Sequence, residues 1–275
     1  MLPLILAASI AFTSIGAGAP VVRDETLQSK ALGRAIKYRI LLPGNYAASA
    51  KRYPVLYLLH GLDGHYEDWT TRTHLEERAR RLPLLIVMPE GADAWYTNAA
   101  DGSGRFEDYI TEDLIRDVES KYRAIRAGYG RAIAGLSMGG YGAIKIALKH
   151  PGTYAAAGSL SGAFEATEPE FARDFPAHTE EMGRIFGPAG GETRTANDIF
   201  LIARAANSNG GPALYVDCGE SDRFLASNRR LVDIIHSRGF TYEYHETPGT
   251  HAWDYWDRRL APLLAWAVAA LNGVA

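Results

Sequence analysis

Arg131-Ala132-Ile133-Ala134-Gly135-Leu136-Ser137-Met138-Gly139-Gly140 is the stretch on which the fold turns. Arg131–Ala134 is a compact apolar run and reads as a strand. Tyr141 to His150 reads as a helix stopped by Pro151. Between them, Gly135 to Gly139 fits the pattern G-x-S-x-G. A serine in that setting sits on a sharp strand-to-helix turn with strained backbone angles. The flanking glycines let strand and helix approach, and the hydroxyl projects outward. The competing reading is a glycine-rich turn with an incidental serine. An apolar strand before Ser137 and a Gly/Ala-rich helix after it favour the nucleophile.

Outward from this point the chain alternates strand-like and helical runs. Tyr38–Leu42 alternates and stops at Pro43, as an outer antiparallel strand would. Val55–Leu59 and Leu84–Met88 are continuously apolar, as strands buried on both faces are. Tyr109 to Tyr122 carries apolar residues at helical spacing. Ala155–Ser159, Ala213–Cys218 and Tyr242–His245 read as further strands, and Asn228–Arg238 and Tyr255–Leu271 as helices. The alternation predicts an α/β fold with a mostly parallel central sheet and helices on both faces. Residues 162–211 break the rhythm with Phe164, Phe171, Phe175, Met182 and Phe186 among polar residues. They are expected as an insertion over the carboxyl ends of the strands, where such sheets bind ligands.

A serine hydroxyl needs a base. In this kind of sheet the order is serine, then acid, then histidine, the last two on loops after later strands. Asp222 lies in Gly219-Glu220-Ser221-Asp222 after one such strand, and His251 in Pro248-Gly249-Thr250-His251 after the last. Glu220 competes for the acid position. Asp217 falls too early, inside the strand, and His245 falls within the final strand. His65, His74, His150, His178 and His236 are far from the required loop. Two backbone donors are needed for a developing oxyanion. Met138, next after the serine, supplies one candidate. Leu62 in His60-Gly61-Leu62-Asp63-Gly64, preferred over Gly61, supplies the other. His60 is expected to hold that loop from below.

The 275 residues suit one domain over 20–275. A net charge of -3 gives no basic excess for nucleic acid. A single cysteine, Cys218, excludes an intrachain disulfide and a metal-binding cysteine pair. From Leu2 to Pro20 there is no charge, and Ala17-Gly18-Ala19 has the small-x-small form of a cleavage site. Residues 1–19 therefore read as a signal peptide and the protein as secreted or periplasmic, with no stable membrane insertion after leader removal. The absence of Lys or Arg before the apolar stretch keeps a cytoplasmic or N-terminally anchored protein as alternatives.

Five segments occur in register: Leu58-Leu59-His60-Gly61-Leu62-Asp63-Gly64, Trp95-Tyr96-Thr97-Asn98, Phe106-Glu107-Asp108-Tyr109-Ile110, Gly135-Leu136-Ser137-Met138-Gly139-Gly140-Tyr141-Gly142-Ala143 and Gly249-Thr250-His251-Ala252-Trp253. Together they resemble the esterase D-like family of α/β hydrolases. That family includes tributyrin, feruloyl and acetylxylan esterases, S-formylglutathione hydrolases and mycolyltransferases. The resemblance runs from about Ile36 to Leu271. It implies an α/β-hydrolase fold without metal or cofactor, a triad of Ser137, Asp222 and His251, and oxyanion donors at Leu62 and Met138. Thr250 departs from the second glycine that most relatives carry before the histidine. The leader argues against an S-formylglutathione hydrolase.

The expected activity is hydrolysis of small-molecule carboxylic esters with short-chain acyl or feruloyl groups, through an acyl-enzyme on Ser137. An acyltransferase with a sugar or alcohol acceptor is the alternative within enzymes. A non-catalytic binding protein on the same scaffold is the alternative outside them. Trp95, Tyr96, Asn98 and Trp253, with Trp256, are candidate substrate contacts, since aromatic linings suit apolar or sugar esters. Packing in the core is the competing account of each.

Overall fold

The computed structural model describes residues 18–272. Among these, eight strands form one sheet: β1 (Val21–Ser29), β2 (Arg34–Leu42), β3 (Val55–Leu59), β4 (Leu85–Pro89), β5 (Arg131–Leu136), β6 (Ala156–Leu160), β7 (Ala213–Gly219) and β8 (Tyr242–Thr247). Their order across the sheet is β1-β2-β4-β3-β5-β6-β7-β8. The six strands from β4 to β8 in this order run parallel, and β2 is antiparallel to both its neighbours, β4 and β1. The chain folds as an α/β hydrolase. The continuous apolar runs are there because both faces are covered. Val55, Tyr57 and Leu59 enter the core on one side of the sheet, and Leu56 and Leu58 the core on the other.

The edge of the sheet differs from expectation. β2 pairs with β4 on one side and on the other with β1, in register from Val21 opposite Leu42 to Ser29 opposite Arg34. It is therefore second from the edge, and β1 is the outer strand. Val-Val-Arg-Asp-Glu-Thr-Leu-Gln-Ser buries only Leu27 and Ser29. An edge strand that faces water along most of its length carries charges, and these hide its strand pattern. The helical stretch expected at 109–122 begins at Phe106 and contains a wide π turn over Tyr109–Asp113 before continuing through Leu114–Lys121.

The helix after Ser137 spans Met138–Lys149 and so starts at once, three residues before the expected Tyr141. It passes very close to the neighbouring strand. A Cβ on Gly139 would lie 2.5 Å from the His60 carbonyl oxygen, so only glycine lets the helix pack there. Between β6 and β7, residues 162–211 form the helices Pro169–Asp174, Thr179–Phe186, Glu192–Ala196 and Ile199–Ala205. Phe164, Phe171, Met182 and Phe186 are buried, and the segment is tied to the sheet-covering helix by the Tyr141 hydroxyl donating to the Asn197 carbonyl at 2.7 Å. No helix among the described residues is long and apolar enough to cross a membrane. The expected leader lies outside the described residues except for Gly18 and Ala19.

Candidate active site

Ser137 caps the helix Met138–Lys149 directly after β5. Its backbone is strained, with φ 53° and ψ -118°, a conformation that costs a non-glycine residue energy and persists only where packing enforces it. The enforcement is visible. The Ser137 N–H donates to Leu160 O at 2.9 Å, and its carbonyl accepts from both Tyr141 and Ala163. A Cβ on Gly135 would meet the backbone of Gly139 at 2.5 Å, so strand and helix converge at the serine.

Asp222 and His251 arrive from the loops after β7 and β8. Those loops are laced together: Glu220 N–H donates to Thr247 O and Ser221 N–H to Gly249 O, each at 2.9 Å. The three side chains meet in one hydrogen-bonded chain. His251 Nε2 is 2.9 Å from Ser137 Oγ, and His251 Nδ1 is 3.0 and 3.2 Å from the Asp222 carboxylate oxygens. Asp222 Oδ1 also accepts the Phe224 N–H at 2.9 Å. Burial works against the charged form of this carboxylate. The hydrogen bond and charge of His251, with the Phe224 N–H, outweigh burial and hold it below the usual aspartate range. Its anion is thus available to orient the imidazole and offset positive charge on it.

The competing acids are elsewhere. Glu220 is exposed. Asp217 is buried in β7 and committed to Tyr215, Tyr255 and Arg259. His245 is part-exposed on β8, beside Tyr215.

Two backbone donors face no protein partner. Among the described residues, the N–H groups of Leu62 and Met138 make no hydrogen bond, whereas Asp63 N–H donates to Asp93 Oδ1 and Ser137 N–H to Leu160 O. For Met138 this is the ordinary state of a first-turn N–H, which has no acceptor within its own helix. For Leu62 the loop is fixed around it. Gly91 N–H donates to His60 Nε2 at 2.8 Å, which leaves His60 Nδ1–H to donate to Gly61 O at 2.7 Å. A cavity of 340 Å³ opens at this point, lined by Ser137, His251, Leu62 and a set of aromatic side chains.

The expected substrate contacts divide. Trp95 and Trp253 line the cavity, as does Trp256. Tyr96 and Asn98 do not. Tyr96 is fully buried under Gly91 and Gly142, and its hydroxyl donates to the His60 carbonyl at 3.0 Å. Asn98 exchanges two hydrogen bonds with Asp108. Trp95 and Tyr96 are both left-handed, with φ 53° and 48°. They are pinned from behind by Lys145, whose ammonium donates to the Tyr96 carbonyl and the Thr97 hydroxyl at 2.7 Å each.

Other residues line the cavity too, and of these Phe171 and Phe175 belong to the segment expected over the carboxyl ends of the strands. Phe171, Phe175 and His178 come from the 162–211 segment, and Arg72, Arg223 and Phe224 from loops and helix ends. His178 is 3.6 Å from Asp63 and 3.3 Å from Glu181. Arg223 and Phe224 carried the further signal of a position directly after Asp222, while Arg72 and His178 carried none.

Residues 29–267 match the family described as "Putative esterase". An acetyl esterase from Caldicellulosiruptor saccharolyticus is 29% identical over 217 residues, covering 77% of this chain and 82% of its own. An esterase of Mycobacterium tuberculosis is 32% identical over 255 residues, covering 82% of this chain. The match spans only about half of that longer protein, 54%. Among solved structures, the substrate-bound fluorophosphonate-binding serine hydrolase F of Staphylococcus aureus superposes with a TM-score of 0.81 at 26% identity. That match covers 91% of this chain and 99% of the other.

Proposed function

The chain belongs to this esterase family, and from that premise we propose that it hydrolyses small carboxylic esters through an acyl-enzyme on Ser137. The observation that carries the reading is the unbroken chain from the Asp222 carboxylate through His251 to Ser137 Oγ, at 3.0 and 2.9 Å. In the first step Ser137 Oγ attacks the ester carbonyl while His251 Nε2 takes its proton. The tetrahedral oxyanion lies between the Leu62 and Met138 N–H groups, where the positive end of the helix dipole adds to the stabilisation. His251 then returns the proton to the departing alkoxide, and the acyl group stays on Ser137. A water deprotonated by His251 attacks the acyl-enzyme and releases the acid and the free serine.

The cavity supports a short acyl chain or a flat aromatic acid. Phe171, Phe175, Trp95, Trp253 and Trp256 present ring surface to it. Its 340 Å³ lies at the small end of ligand-sized pockets. Residues 1–19 are read as an export signal, because the apolar run from Leu2 is uncharged as far as Pro20.

The test is turnover of 4-nitrophenyl acetate, 4-nitrophenyl butyrate and methyl ferulate, with the same assay on Ser137→Ala. Hydrolysis by the native protein and its loss in the variant is the expected result. Equal hydrolysis by both proteins would reject Ser137 as nucleophile.

A further inference from the structure

The rings around His251 form a second chain of contacts. Phe224 stands edge-on to the imidazole on one side, with centroids 4.8 Å apart, and Trp256 on the other at 4.9 Å. Trp253 follows Trp256 at 5.2 Å. A guanidinium closes each end. Arg72 lies 5.3 Å from the Trp253 ring, and Arg223 lies 4.2 Å from Phe175 and 5.6 Å from Phe224. Both arginines line the cavity.

The two ends differ in one respect. Arg72 is paired with Asp68 at 3.4 Å. Among the described residues, Arg223 has no carboxylate within ion-pair distance and its guanidinium N–H groups donate to none of them. Its neighbour Asp222 is committed to His251. Glu165 senses the charge of Arg223, but it forms no ion pair with it and burial pushes that carboxyl up.

Stacking on Phe175 uses the face of the guanidinium and leaves its edge free. That edge is a fork of parallel donors matched to a planar carboxylate. A side chain already laid on a ring also loses less freedom when it binds. We infer that Arg223 is a specificity-determining residue that recognises a carboxylate on the substrate, so that the natural ester is an anionic one. The inference rests on the ester-hydrolase reading and names the class of ester within it.

Two matched pairs of esters test it. Mono-(4-nitrophenyl) succinate against 4-nitrophenyl butyrate places the charge in the acyl group. 4-Acetoxybenzoate against its methyl ester places it in the alcohol. The quantity read is the ratio of kcat/KM, charged over neutral, in the native protein, Arg223→Met and Arg223→Lys. In at least one pair the ratio should fall on the order of tenfold in Arg223→Met, with Arg223→Lys between the two. That difference should shrink in high salt, as an exposed charge contact does. Ratios unchanged by Arg223→Met in both pairs would overturn the inference while leaving the esterase intact. Failure of the native protein to hydrolyse even the neutral esters would instead count against the esterase reading itself.

Discussion

One helix, Met138–Lys149, carries two buried polar clusters of opposite character. At its N-terminus Ser137, His251 and Asp222 form a hydrogen-bonded chain that opens on a cavity. Eight residues on, about 12 Å along the axis, Lys145 is wholly buried against Glu107 at 3.1 Å. Its ammonium also reaches Tyr96 O, Thr97 Oγ1 and Asn197 Oδ1. Lys149 and His150 close the other side of Glu107, at 2.8 and 2.9 Å. Both clusters shift the ionisation of their members. Burial pushes Lys145 down to about 8, against the pull of Glu107. Burial opposes the charge of Glu107 too, but Lys145, His150 and Lys149 hold its carboxyl far below the usual range.

What separates the clusters is unused bonding capacity. Among the described residues, the first leaves the Leu62 and Met138 N–H groups without acceptors and holds a hydroxyl on a strained turn at the cavity. In the second, the Lys145 ammonium is surrounded by acceptors from the protein itself, and neither Lys145 nor Glu107 lines the cavity. Perturbed ionisation alone therefore does not mark a reactive site. In this chain the marks are free donors and room for a ligand. The Lys145 cluster is structural. It fixes the left-handed Trp95–Tyr96 turn and bolts Asn197 of the 162–211 segment to the core.

Substitutions should break the two clusters in different ways. Ser137→Ala is expected to lower kcat/KM for 4-nitrophenyl esters by about 10⁴–10⁶-fold with little change in Tm. An equal loss of stability would mean that the hydroxyl holds the fold. Asp222→Asn should leave the geometry but cost roughly 10⁴-fold in kcat, because His251 loses the partner that sets its tautomer. Retention of most activity would reopen the acid assignment in favour of Glu220.

Lys145→Met should do the reverse. It takes from buried Glu107 the one wholly buried of its three partners, costing up to about 3–5 kcal/mol and lowering Tm on the order of 10 °C. At low temperature kcat should stay within a few-fold, as a steady-state assay in the cold would show. The smallest effect concerns pH. Glu107 is depressed in the folded state, so its contribution is complete above the ordinary glutamate pKa of about 4.5. It is lost as pH falls through the folded value. Thermal melts should hold this contribution from about pH 7 to 5 and lose it progressively below about 4.5. Glu107→Gln should show a shallower acid limb.

The parts legible in sequence are those encoded locally. Ser137 sits in a five-residue pattern between a strand and a helix, Asp222 follows the buried apolar run of β7, and His251 follows the alternating β8. The strands β3 to β7 are legible because burial on both faces demands continuous apolar residues, while β8, Tyr-Glu-Tyr-His-Glu-Thr, is half-exposed and shows only alternation. β1 is not, because its Arg23, Asp24 and Glu25 belong to a solvent-facing edge. Tyr96 and Trp95 are adjacent and both aromatic, yet one packs under the loop and the other lines the cavity. Two successive left-handed residues set that division, and no local pattern announces them. Lys145 lies between Ile144 and Ile146 in a helix buried nearly all round. A lysine there signals an internal partner, but Glu107 is 38 residues away in sequence (145 against 107) and only the tertiary fold brings them together. The break in rhythm at 162–211 pointed to the segment that carries Phe171 and Phe175, but which of its side chains reach the cavity, His178 among them, is equally non-local.

The central claim is that the open cluster alone is reactive, through Ser137. Peptide mapping by mass spectrometry after treatment with a fluorophosphonate tests it most directly. One adduct per chain, on Ser137 and absent from Ser137→Ala and from acid-unfolded protein, is the predicted result. An adduct on any other residue, or none while esters are still hydrolysed, would contradict it.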